Sequence, residues 1–395
     1  MAAERTTVRQ VELALAGRNG VLAAAACFLI AAYYGATAIA LLAAACLLLA
    51  GLGWASAWLS TWGVQYARSL GAYRAFPGET IRARVRVANP KPLPAPWLEV
   101  AEDLPAALQP EKGPPRRVLH LPWRSVAAWD YTLGCQRRGC YTWGPAQLRG
   151  GDPFGVAGRA VASGGADEII VYPRLLPVGR IGLPARAIFG RQRPPRSLFE
   201  DASRMAGLRD YLPGDALNRV HWKATARHGA LKMKVYEPTT TPQALLVLAL
   251  DDLAAGEAVD EELGEHAISV AASLAHEGAG LGWSVGLIAN GRPPVVLGPS
   301  GGREQVPALL EALARLTLAC DVALPKLLAA QRAAIPAGST VVFVAAALSP
   351  ALARSADELA LAGHALAFVF VGREAEATGP TVGRWPAFQM PLRAG

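Results

Sequence analysis

The sequence predicts a mixed membrane protein: an N-terminal transmembrane helical hairpin, a small antiparallel β-sandwich and a C-terminal doubly wound α/β domain. Three observations predict it. No charged residue lies between Asn19 and Ala67; short alternating stretches then follow, cut by proline and glycine clusters; and from about residue 244 apolar runs alternate with helical patterns. Of 395 residues, 52% are hydrophobic and 18% charged, which is apolar enough to admit a membrane part. The net charge is +8, basic as far as residue 240 and acidic beyond it.

Residues 1–19 read as a cytoplasmic N-terminal segment and residues 20–62 as two transmembrane helices. The uncharged run is far longer than the ~20 residues one crossing needs. The break falls at "YYGAT" (33–37), where Gly35 is a poor helix residue and two tyrosines suit an interface. Trp54, Trp58 and Trp62 share one helix face, as an interfacial belt would. Arg5, Arg9 and Arg18 precede the hairpin, Arg68 and Arg74 follow it, and its turn is uncharged. Both ends are therefore expected on the cytoplasmic side of the cell (inner) membrane. A signal peptide is the alternative for the first apolar stretch.

Residues 72–178 read as the β-sandwich. In "ETIRARVRVANP", Ile81, Ala83, Val85 and Val87 alternate with Arg82, Arg84 and Arg86, giving one buried and one cationic face. Beside a bilayer, those arginines could face an anionic lipid surface. None of the five cysteines has C-x-x-C spacing. Cys135 and Cys140 are an odd number of residues apart, so on one strand they would point to opposite faces and could not bridge.

Residues 196–395 read as the α/β domain. "ALLVLAL" (244–250) is a buried strand, "EELGEHAISVAASLAHEG" a helix and "WSVGLIAN" a strand. "REQVPALLEALARLTLAC" and "PKLLAAQRAAI" are helices, "STVVFVAAAL" a strand, "PALARSADELALAGH" a helix and "ALAFVFVG" the last strand. Apolar strands separated by helices imply a mostly parallel sheet covered on both faces, with its binding crevice at the carboxyl ends of the strands. No phosphate loop or glycine-rich dinucleotide fingerprint follows any strand, so no cofactor is indicated. His266 and His276 lie on one helix without sharing a face and are expected in solvent.

The densest polar stretch is "GLRDYLPGDALNRVHWKATARHG" (207–229). Pro213, Gly214 and Asp215 suit a turn, with Asp215 capping a following helix. In that helix Leu217, Val220 and Ala224 form the buried stripe, and Asp215, Arg219, Lys223 and Arg227 stack on another side. Trp222 is expected to pack on the flank, and Gly229 ends the helix. "LKMKVYE" then alternates as a strand, and Arg209 and Tyr211 lead into the turn. His221, near Asp215 and Arg227, has no nucleophile to serve, so a structural role outweighs acid–base chemistry and no catalytic residue is assigned.

The run "GLRDYLPGD...NRVHWKATARHGALKMKVYE", a motif at 207–237, resembles the defining segment of the domain of unknown function 58 family. "RRGCYTWGPAQLRGGDPFGV" and "VYPR" resemble the segment that precedes it there. The resemblance implies a membrane-anchored protein with a von Willebrand factor A-like C-terminal domain, often paired with a MoxR-type AAA ATPase. Metal-binding domains of that type carry D-x-S-x-S after the first strand. Here Asp251 matches, but Leu253 and Ala255 replace the serines, so no metal is assigned and Asp251 is only a weak candidate.

Two functions fit. One is a membrane-tethered scaffold or adaptor working with the ATPase through protein contacts, which would engage Arg209, Tyr211, Gly214, Asp215, Arg219, His221, Trp222, Lys223 and Arg227. The other is an enzyme or small-ligand-binding protein that uses the crevice near Asp251 and the polar knot 209–227. The basic stripe is short and the domain behind it acidic, so nucleic acid is not an expected partner.

Overall fold

The computed structural model describes residues 15–112, 115–151, 158–177, 188, 200–212, 220–238, 242–251, 260–372, 381–382 and 385–392. The chain divides into two compact units, Met1–Tyr172 and Pro173–Gly395.

The first unit opens with α1 (Leu15–Tyr33) and α2 (Thr37–Thr61), which pack on each other. Gly35 turns the chain between them with φ +69°, a conformation that costs glycine nothing. Among the described residues, only α2 is long and apolar enough to cross a membrane; the apolar part of α1, Asn19–Tyr33, is shorter. The expected interfacial tryptophans are exposed, and the rings of Trp58 and Trp62 stack at 5.0 Å. Arg5 and Arg9 lie outside the described residues.

Among the described residues the strands that follow are β1 (Gln65–Leu70), β2 (Arg74–Ala75), β3 (Thr80–Asn89), β4 (Ala95–Ala101), β5 (Leu108–Lys112), β6 (Arg116–Leu121), β7 (Ser125–Cys135), β8 (Gly139–Trp143), β9 (Ala146–Gly151), β10 (Gly158–Ser163) and β11 (Asp167–Val171). They form two four-stranded antiparallel sheets, ordered β1-β3-β7-β5 and β10-β9-β4-β6, and a small sheet β2-β11-β8. In β3, Ile81, Ala83, Val85 and Val87 point into one apolar core with Leu98, Tyr131, Trp143, Leu148 and Ile169, residues drawn from all three sheets. The arginines take the other face, where Arg84 forks onto Asp130 at 2.8 and 2.9 Å. Cys135 and Cys140 are on different strands, β7 and β8, rather than on one, and both are free.

Arg68 departs from expectation. Its side chain is 3% exposed, and its guanidinium donates to Glu102 at 2.9 Å, to Asp167 at 2.8 Å and to the Trp143 carbonyl at 3.2 Å. It also lies 3.9 Å above the Trp143 ring. The Tyr66 hydroxyl donates to the other oxygen of Glu102, whose side chain is fully buried. Burial first, and then the Glu102 charge, push the Tyr66 phenol well above the ordinary tyrosine range, so it stays a donor. Arg68 is thus an internal charge neutralised in the core. It is not the juxtamembrane cation that the sequence reading counted.

The end of α2 is built into this unit. Ala57, Ser60 and Thr61 are buried, and α2 packs on β4, β9 and β10. Ser56 donates to the Gly151 carbonyl at 3.4 Å, and the Ser60 hydroxyl accepts from the Trp97 amide at 3.3 Å. The Lys91 ammonium, 6.0 Å from the Trp62 ring centre, donates to the Leu59 carbonyl, a cation at the negative end of the helix. Close approach requires Gly150: a Cβ there would sit 2.4 Å from the Ala57 carbonyl oxygen and 2.9 Å from Thr61 Cγ2. Only Trp62, Gly63 and Val64 separate helix from strand.

The second unit holds β12 (Glu200–Asp210), α3 (Trp222–His228), β13 (Lys232–Pro238), β14 (Gln243–Leu248), α4 (Glu261–Gly280), β15 (Ser284–Ala289), β16 (Val295–Leu297), α5 (Val306–Arg315), α6 (Leu324–Gln331), β17 (Thr340–Ala345), α7 (Pro350–Leu361), β18 (Ala365–Gly372), β19 (Thr381–Val382) and β20 (Trp385–Pro391). Its sheet runs β16-β15-β14-β17-β18-β20-β19, parallel except at its two edges. One face packs Leu245, Val247, Val341, Phe343 and Phe368 against Leu324 and Leu328 of α6 and Leu352, Ala356 and Leu359 of α7. The opposite face carries α4 and α5. "ALAFVFVG" is not the last strand: β20 pairs parallel with β18 beyond it. Its two prolines weaken the strand signal in "WPAFQMP".

His266 of α4 is half-buried, with Nε2 3.2 Å from the Met390 carbonyl of β20, and so is not in solvent as expected. His364 lies 3.2 Å from the Ser339 hydroxyl. Burial holds both imidazoles below the ordinary histidine value. A depressed folded pKa gives stability that is present above about pH 6.5 and is lost as the pH falls, because the unfolded chain then binds more protons. The melting temperature should therefore drop on acidification below that value, and His266→Gln should flatten the drop. An unchanged profile in His266→Gln would assign the slope elsewhere.

Candidate functional site

The motif region folds as a small module of β12, α3 and β13. The strands pair antiparallel, with irregularities between Asp201 and Met205 and between Met205 and Gly207. Where the chain leaves β12, the Tyr211 amide donates to the Leu231 carbonyl at 3.0 Å. Where it returns, the His221 amide donates to the Lys232 carbonyl at 2.8 Å and Val220 bridges to Met233. The Lys232 amide donates to the Thr225 hydroxyl at 3.0 Å, and its ammonium pairs with Asp210. Val220, Ala224 and Met233 are buried beneath.

The helix differs from the sequence reading. It begins at Trp222, and its cap is His221, whose Nδ1 accepts from the Ala224 amide at 3.0 Å. Gly214, Asp215, Leu217 and Arg219 fall in 213–219, outside the described residues. Capping fixes the His221 tautomer, because Nδ1 must keep its lone pair for the amide and carry no proton. Gly229 closes the helix as expected, with φ +69° and its amide on the Thr225 carbonyl at 2.9 Å.

Trp222 is the main correction: it does not pack on the flank but is 68% exposed. Lys223 and Arg227, one helical turn apart, are exposed with it. So is Arg209, whose guanidinium donates to the Asp210 carbonyl at 3.0 Å. Leu208, Leu212 and Leu231 also reach the surface. Leu231 is exposed although it stands two residues before the buried Met233, because it precedes the first residue of β13. Tyr211 is half-buried. The module therefore pairs exposed apolar surface with cations on a hydrogen-bonded frame, the composition that protein interfaces favour at their energetic centres.

The other candidate place is the end of β14, where the sheet order reverses between β14 and β17. There the Asp251 carboxylate accepts from the Leu324 amide at 2.9 Å, an anion on the first turn of α6. The Leu250 amide donates to Asn290 Oδ1 at 2.8 Å, and Asn290 Nδ2 is buried without a partner among the described residues. Arg292 pairs with Asp321 in an exposed fork. Cys320 is exposed as a residue, but local crowding of its thiol and the Asp251 and Asp321 charges push it up to about 11, so it is protonated at neutral pH and a poor nucleophile. Leu253 and Ala255 lie outside the described residues, among which no group of three His, Cys, Asp or Glu side chains could hold a metal ion.

The profile of a family described as "Protein of unknown function DUF58" matches residues 207–387. The chain is also similar to an uncharacterized protein, YeaD, of Bacillus subtilis (strain 168), with 24% identity over 264 residues that cover 66% of this chain and 64% of that protein. The match thus spans less than two thirds of the relative's length.

Proposed function

With residues 207–387 placing the chain in the DUF58 family, we propose that it is a membrane-tethered adaptor whose β12–α3–β13 module docks a partner protein. The observation that carries this reading is Trp222, a large apolar ring that is exposed on the first turn of a capped helix which also exposes Lys223 and Arg227. Aromatic and arginine side chains supply most hot-spot energy, and cations on the same short helix fit a partner with an apolar pocket and acidic groups beside it. A MoxR-type AAA ATPase is that partner in this reading, and the second unit is a von Willebrand factor A-like domain. The sheet order, with the first strand central and the chain crossing to its other side at β17, supports that assignment. The first unit is a β-sandwich held by two membrane spans, α1 and α2, with both ends cytoplasmic beside an anionic lipid surface. Without Arg68, this orientation rests on Arg5, Arg9, Arg18 and Arg74. The crevice near Asp251 supports the enzyme alternative less, because that carboxylate already serves α6.

Trp222→Ala tests the adaptor. Truncating an exposed side chain should change stability by no more than about 0.5 kcal/mol. Loss of a hot spot should weaken partner capture from solubilised membranes by about 2 kcal/mol or more, and Lys223→Glu with Arg227→Glu should abolish it. Capture of the ATPase at wild-type levels by the triple variant, with the fold intact, would remove this module as the docking surface.

A further inference from the structure

The end of α2 is bound to two turns of the first unit, and those turns carry exposed apolar side chains. The first joins β3 to β4 and contains Lys91 and Leu93; the second joins β6 to β7 and contains Pro122, Trp123 and Arg124. Asn89, itself 1% exposed, donates to the carbonyls of Leu93 and Pro122, each at 2.9 Å, and so staples the turns together. The Arg124 amide donates to the Lys91 carbonyl at 3.0 Å, and the Lys91 ammonium caps Leu59 of α2. Both turns are therefore fixed beside the last turn of the helix. Trp123 is 67% exposed there, and Leu93, Val126 and Trp62 are exposed as well.

The height of these groups follows from the length of α2. Its 25 residues at about 1.5 Å each span about 37 Å, longer than the ~30 Å hydrocarbon layer. The Trp58–Thr61 turn then lies at the headgroup level, and the stapled turns lie beside it. Tryptophan is the side chain best suited to that level, and an exposed arginine next to it can reach phosphate while its stem covers apolar surface. Arg124 also holds φ +48°, a backbone conformation that glycine would adopt more easily, so its side chain is retained at a conformational cost.

We propose that Trp123, with Leu93 beside it, inserts into the headgroup region of the leaflet that α2 leaves, with Arg124 on lipid phosphate. The first unit is then seated on the bilayer as well as tethered to it. This rests on the reading that α2 crosses a membrane, and the test separates the two. The full chain is placed in nanodiscs of phosphatidylcholine and phosphatidylglycerol, and in matched discs whose phosphatidylcholine is brominated near the headgroup end of its acyl chains. The tryptophan emission of Trp123→Phe and of Trp58→Phe is subtracted from that of the wild type, giving the signal of each ring. The Trp123 signal should be blue-shifted and quenched about twofold or more by bromine, as expected for an interfacial indole. Quenching of Trp58 with a red, unquenched Trp123 would overturn the inserted turn and leave the anchor standing. If neither ring is quenched, the crossing itself is wrong. A Trp123 signal that responds to protein loading per disc, and not to bromine, would assign the turn to contact between copies and overturn the proposal. Trp123→Leu, which keeps the ring site apolar, repeats the subtraction should Trp123→Phe fold poorly.

Discussion

Arg68→Ala should be the most damaging truncation in the first unit, costing about 3–5 kcal/mol, because it strands buried carboxylate charge without a counterion. The magnitude follows from the surroundings. Glu102 has no solvent to turn to, and among the described residues its carboxylate is held by Arg68 and the Tyr66 hydroxyl. The Trp143 carbonyl and ring lose their contacts with the same guanidinium. Chemical unfolding in detergent, followed by tryptophan emission, would measure the loss. Arg84→Ala is the comparison: its pair with Asp130 is formed in water, and its removal should leave the transition nearly in place. Equal effects from the two substitutions would show that the cluster around Arg68 is hydrated and not a structural charge.

Gly150→Ala should cost about 1–3 kcal/mol through overpacking alone, since the added methyl would meet the backbone of α2. The clash at Ala57 is with a carbonyl oxygen, which cannot rotate away as a side chain would. Relief requires the helix to lift from β9, and the Ser56, Ser60 and Lys91 hydrogen bonds open with it. Gly158→Ala, where none of the described residues lies within 4 Å of the new carbon, is the matched control. A melting temperature lowered only in Gly150→Ala would confirm that the helix is held by contact. Equal temperatures would mean that it is merely tethered.

These two sites show where sequence reading stops. The strand β3 was legible because one buried face imposes strict alternation, and α4 because its apolar positions return with the helical period. Arg68 was not, because a charge that follows an apolar segment looks alike in water and in a core; only Glu102 and Asp167, 34 and 99 residues away, distinguish them. Trp222 failed for the opposite reason. An aromatic side chain reads as buried by default, and a short helix has too few turns for periodicity to say which face it presents. The polar density of 207–229 did mark the module, and Gly229 its helix end. His221 took the cap because the last residue before the helix is set by how the chain returns to β13, a contact with Lys232 that spacing does not encode. The strand β20 was hidden by its own prolines.

The short passage from α2 into β1, together with the contact at Gly150, leaves no slack between helix and sheet. In a bilayer, such a unit keeps the inclination of its helix and retains free rotation only about the membrane normal. Its search for a neighbour in the same plane becomes a matter of lateral diffusion and a single angle, instead of three rotations in solution. A surface on this unit is then presented at constant height to everything that passes. Orientation is then restricted before any attraction acts, and a flexible insertion at Gly63 would remove that restriction.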